Sequence, residues 1–146
     1  MPNFPCDFEI PDDWLAEAGM DTFTPTATAY RSTADAVLVP LHKIEPPNRV
    51  KTCLNHWRGF DRTRMISVMK GIATGAEIEA IPVVQLPEID NRLVPTPLRY
   101  HTYCYRVRDG FHRFYASVAA GFENVPATIM TVPELVELAK NLGWCA

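Results

Sequence analysis

Residues 107–129 read V-R-D-G-F-H-R-F-Y-A-S-V-A-A-G-F-E-N-V-P-A-T-I, and this stretch decides the fold. A strand runs into Asp109-Gly110, a helix follows over about 110–120, Gly121 stops it, and a further strand starts at Val125. His112 and Arg113 fall in the first helical turn, just after Arg108. A helix N-terminus carries partial positive charge and unpaired N–H groups, so cations crowded there repel its dipole unless an anion binds among them. Phosphate at a strand–turn–helix entry answers that condition. Two plainer readings stand beside it: Asp109 as the N-cap, and Gly110 as a tight-turn residue only.

Working outward, Phe111, Phe114 or Tyr115, and Val118 are expected to form the apolar stripe of this helix. Arg99–Val107 reads as a long strand, and Val125–Val132 as another. Ile81–Leu86 is a strand, and Ala36–Val39 a compact apolar run expected to be a buried strand, with Leu41 and Ile44 as anchors. Met65, Ile66, Met69 and Ile72 recur at helical spacing after Asp61 or Thr63 as cap, with Gly71 and Gly75 marking the end. Asp12-Asp13 begin a short helix ending at Gly19, and Pro133 opens a last helix that stops near Gly143. The order of elements gives an α/β (α+β) domain, a small mixed sheet with packed helices, over residues 36–146, preceded by an arm over 1–35.

The 146 residues suit one domain, and the 13 prolines argue against an all-helical fold. No apolar run reaches the length of a membrane span, and the first residues lack a basic and apolar leader, so a cytoplasmic protein is expected. The four cysteines are scattered and read as reduced thiols. Cys53 and His56 make only half of a zinc motif, so no metal site is expected from the cysteines. From Arg49 to Arg64 there are five Lys or Arg against one Asp, a local balance of +4 in a chain of net charge −3. With Trp57 and Phe60 inside it, that stretch is either a solvated face or a track for nucleic acid.

Residues 36–131 resemble the ParB/sulfiredoxin superfamily. Val39-Pro40-Leu41-His42-Lys43-Ile44-Glu45-Pro46 is similar to its opening strand and “I-x-P” turn, and Asp109-Gly110-Phe111-His112-Arg113 followed by Ala116, Gly121 and Val125-Pro126-Ala127 to its “D-G-x-H-R…A…G…(I/V)-P-A” signature. The resemblance implies a nucleotide or phosphate site held by Gly110, Phe111, His112 and Arg113, with Asn48 and Arg49 near it after the first turn, Asp109 as catalytic or metal-binding carboxylate, and Mg²⁺ carried with a nucleoside di- or triphosphate.

The branches of the superfamily imply different activities. Sulfiredoxins use a cysteine where this chain has Phe111, so sulfinic reductase activity is not expected. ParB proteins continue into a DNA-binding domain for which the residues after the signature are too few. The archaeal free-serine kinases have the signature closest in wording, but Asn48 stands where their catalytic glutamate is expected, and an amide is no general base. Glu45, three positions earlier, is the nearest carboxylate. The expected function is therefore phosphate or nucleotide binding, with phosphotransfer or nucleotide hydrolysis as its enzymatic form. The alternatives are a non-catalytic nucleotide- or nucleic-acid-binding module and a ParB-like nuclease.

Overall fold

The computed structural model describes residues 9–47, 60–86 and 103–130. Along the chain these form α1 (Asp12–Ala18), β1 (Val37–Pro40), a single 3-10 turn (Leu41–Lys43), β2 (Ile44–Glu45), α2 (Arg62–Thr74), β3 (Ile81–Gln85), β4 (Tyr105–Val107), α3 (Phe111–Ala120) and β5 (Asn124–Met130). The five strands make one mixed sheet in the order β1-β5-β3-β4-β2. β1 is antiparallel to β5 and β4 to β3, while β3 and β5 are parallel and so are β2 and β4. A parallel pair needs a long crossover, and β4 with α3 supplies it between β3 and β5.

One face of the sheet presents Val39, Val125, Ala127, Ile81 and Val83, all buried. Their alternation along the strands puts them in register, Val39 beside Val125 and Ile81 beside Ala127. The helices close over them. Met65, Met69 and Ile72 recur on one side of α2 and are buried, as the period of 3.6 dictates. Asp61 caps this helix, its Oδ1 accepting the Arg64 N–H at 2.8 Å. Gly75, at φ +72°, ends it. Asp61→Ala removes the only side-chain cap of α2 and is expected to cost about 1 kcal/mol of stability in urea unfolding.

Several expectations are corrected here. Gly71 lies inside α2 instead of ending it. A Cβ there would approach Ile78 Cδ1 to 3.2 Å, so the glycine makes room for Ile78. Among the described residues β1 is an edge strand, with Val37 and Leu38 about half exposed and only Val39 buried. A short apolar run has the same composition at an edge as in the middle of a sheet. The strand expected from Arg99 is assigned as Tyr105–Val107, with Cys104 extending the pairing through bonds to Lys43 and Leu86. Residues 99–102 lie outside the described residues, as do residues 131–132 and the expected last helix.

The buried face of α3 is broader than a stripe: His112, Phe114, Tyr115, Ala116, Ser117 and Ala120 are buried, while Phe111 and Val118 are only partly so. The helix packs against both α2 and β5, so two sides are covered. The arm is built into the same core, to which it gives Ile10, Ala18, Met20 and Tyr30. Thr28 O accepts the N–H groups of Glu123 and Asn124, and Arg31 O accepts that of Ile78. Among the described residues no helix is long and apolar enough to cross a membrane.

Candidate functional site

The starts of α2 and α3 are fastened side by side, and the fastening is aromatic and polar at once. Phe60, directly ahead of the α2 cap, is buried against Phe111 (ring centroids 6.2 Å), His112 (5.8 Å) and Tyr115 (5.3 Å). The Asp61 N–H donates to His112 Nε2 at 2.9 Å across 51 residues of sequence. That nitrogen is an acceptor and so carries no proton. Between the two helix starts lies a cleft of about 380 Å³ lined by Thr63, Arg64, Ser67 and Val68 of α2 and by residues 109–113.

The chain enters α3 through a left-handed residue. Gly110, at φ +84°, is the N-cap, and no side chain caps the helix. Asp109 is therefore not the cap; its Oδ1 accepts the neighbouring Gly110 N–H at 2.7 Å instead, and its side chain is exposed. The absence of a Cβ at Gly110 makes space for Arg113, whose side chain folds back over it. A Cβ at Gly110 would stand 2.5 Å from Arg113 Nη2 and 2.7 Å from Nε.

Arg113 is held by the backbone. Its Nη1 donates to the carbonyls of Glu79 and Ala80 at 3.0 Å each. Glu79 Oε2 is 3.8 Å away and 89% exposed, a contact that water screens. The Arg113 side chain is only 15% exposed. Among the described residues its Nε and Nη2 make no hydrogen bond, and this edge lies over the entry to α3. The Glu79 carbonyl also accepts the Tyr30 hydroxyl at 2.8 Å. Burial pushes that hydroxyl well above the usual phenol range; Arg113 pulls it down and Glu79 adds to the rise, so it stays protonated and donates.

Of the residues expected at the site, Asp109, Gly110, Phe111, His112 and Arg113 share one wall of the cleft. Asn48 and Arg49 lie outside the described residues, as do Cys53, His56 and most of the basic stretch. Arg108 is exposed and does not line the cleft. Arg62, from the described end of the basic stretch, is paired with Glu17 on α1. Glu45 pairs with Arg106 at 2.7 Å across the β2–β4 register. Among the described residues no group of three His, Cys, Asp or Glu is placed to hold a metal.

The opposite wall was not foreseen. Thr63 and Ser67 are one turn apart on α2, away from the Met65–Met69 face, and Arg64 stands beside them. Their polar spacing was the available signal. A second hollow, about 450 Å³, lies between the arm and the C-terminal end of α2, lined by Phe23, Tyr30, Arg31, Ile72, Thr74 and Phe122 among others.

No family model matches this chain, and no curated protein does. Among solved structures it is similar to sulfiredoxin from Arabidopsis thaliana, with 24% sequence identity and a TM-score of 0.42, covering 69% of this chain and 92% of that one.

Proposed function

We propose that the cleft between the starts of α2 and α3 binds the phosphate of a nucleotide or phosphorylated small molecule. The observation that carries this reading is the Arg113 edge: Nε and Nη2 of a mostly buried guanidinium, set over a helix start that no side chain caps. A guanidinium edge presents two parallel donors, which suit a phosphate oxygen pair. The helix dipole adds to the same attraction. Arg64 on the facing wall supplies a second charge, and Thr63 and Ser67 supply hydroxyls. Phe111 gives the cleft an apolar border beside Gly110.

The enzymatic form of this reading is phosphoryl transfer or nucleotide hydrolysis. Asp109 is the one carboxylate among the described residues that line the cleft. Mg²⁺ commonly binds through one or two carboxylates together with substrate phosphates, so Asp109 suits a metal delivered with a nucleotide. The metal would neutralise phosphate charge, and the arginines would hold the oxygens. His112 supports the site from behind, since its Nε2 already holds the start of α2. Glu45 is paired with Arg106 on the sheet. A nucleic-acid track is the weaker reading, because Arg62 is engaged with Glu17.

The test is calorimetric titration with inorganic phosphate, ADP, ATP, CTP and GTP, with and without Mg²⁺. Binding by the wild type is expected to weaken about tenfold in Arg64→Ala, the effect of one lost charge-assisted bond. Asp109→Asn is expected to abolish any turnover while leaving nucleotide affinity nearly unchanged. Absence of binding by every one of these compounds overturns the phosphate site; undiminished turnover in Asp109→Asn removes that residue from the chemistry.

A further inference from the structure

We infer that Tyr30, on the N-terminal arm, is a positioning residue for the cleft: through the Glu79 carbonyl it fixes the plane in which Arg113 presents its free edge. The inference rests on the phosphate-site reading for its functional consequence.

The segment between α2 and β3, residues 76–80, has no regular secondary structure. Ala80 leads directly into β3, whereas Glu79 stands one residue further from the sheet, and the arm fixes its carbonyl. Ile78 N–H donates to Arg31 O at 2.8 Å, and one residue away in each strand of chain the Tyr30 hydroxyl donates to Glu79 O at 2.8 Å. The Glu79 oxygen thus takes two donors, Tyr30 and Arg113 Nη1, one for each lone pair. Tyr30 is 5% exposed, so its ring and hydroxyl have little room to wander.

Arg113 has a reason to leave this position. A cation at a helix start opposes the dipole, and the guanidinium is retained there by the two carbonyls, with the exposed Glu79 carboxylate adding a screened contact. When the Glu79 carbonyl turns away, the guanidinium loses one of its two hydrogen bonds, and its plane over Gly110 is no longer set in advance. Recognition by a planar fork depends on that fixed plane. An arm residue that does not line the cleft therefore governs how well the cleft binds an anion.

Tyr30→Phe keeps the ring and deletes only the hydroxyl. The first readout needs no ligand: the Arg113 Nε–H resonance in ¹⁵N-labelled protein is expected to be ordered by ¹⁵N relaxation in the wild type and to lose that order in Tyr30→Phe. The second is titration with inorganic phosphate, whose affinity is expected to fall about fivefold in Tyr30→Phe and not to change further when Tyr30→Phe is added to Arg113→Ala. An Arg113 resonance as ordered in Tyr30→Phe as in the wild type overturns the inference. So does an equal fivefold loss in the Arg113→Ala background, which would make Tyr30 act by another route. If Tyr30→Phe frees Arg113 and the wild type binds no phosphate, the positioning role stands and the phosphate site falls.

Discussion

Gly110→Ala is expected to lower the unfolding free energy by about 3 kcal/mol, about half of it by displacing another residue. The left-handed backbone at φ +84° costs a residue with a Cβ about 1–2 kcal/mol. The remainder arises because the new methyl group would stand 2.5 Å from Arg113 Nη2, and the guanidinium has to leave. Its two bonds to Glu79 O and Ala80 O leave with it, and bonds from a charged donor are worth about 1.5–3 kcal/mol. The single variant Arg113→Ala is expected to cost about 2 kcal/mol by the same loss. Urea unfolding of the two single variants and the double variant decides the matter. The double variant should cost about 1.5 kcal/mol less than the sum, since the displacement is counted twice. Additive costs would show that Arg113 does not lie over Gly110. The cycle also bears on any ligand assay: Arg113→Ala perturbs the fold as well as the cleft, so Arg64→Ala is the cleaner probe.

Tyr115→Ala is expected to be the most destabilising of the changes considered, at about 4 kcal/mol. The side chain is fully buried, with Phe60 at 5.3 Å and Phe114 at 5.1 Å between ring centroids. Its hydroxyl donates to the Pro47 carbonyl. Tyr115→Phe separates the two contributions, keeping the packing and removing the bond, and is expected to cost about 1 kcal/mol. The second variant is the more informative one functionally. Pro47 is the last described residue before Asn48 and Arg49, so the bond anchors the described end of that segment. Thermal unfolding of both variants checks the order; equal costs would mean that the hydroxyl, not the ring, carries the stability.

Much of this was legible because the signals are local. Asp61, Met65, Met69, Ile72 and Gly75 specify α2 within one stretch of chain, and cap, stripe and stop agree. The turn at Gly110 and the stop at Gly121 specify α3 in the same way. What stayed hidden depends on distant partners. His112 looks like a cation at a helix start, yet its Nε2 serves Asp61, on another helix. Arg113 likewise holds carbonyls of residues 79 and 80, which no nearby residue announces. The exchange of roles between Asp109 and Gly110 was ambiguous for a different reason: both residue types occur at helix caps, and only the backbone angle separates them. The facing wall of Thr63, Arg64 and Ser67 was overlooked because a polar helix face usually meets only water.

The arm has a consequence for how this chain reaches its finished state. Its backbone pairs with partners that come much later in the sequence, Thr28 with Glu123 and Asn124 and Arg31 with Ile78, and the Tyr30 hydroxyl bonds the Glu79 carbonyl. Contacts so far apart close large loops and are slow to form. During synthesis Thr28 therefore emerges well before the partners of its carbonyl, residues 123 and 124. The same accounting runs in reverse in the native protein, where residues 20–36, which form neither helix nor strand and are joined by a few bonds to the body, are where local opening is expected to begin. Amide exchange along residues 20–36 would then time the readiness of a cleft to which only neighbouring elements contribute directly.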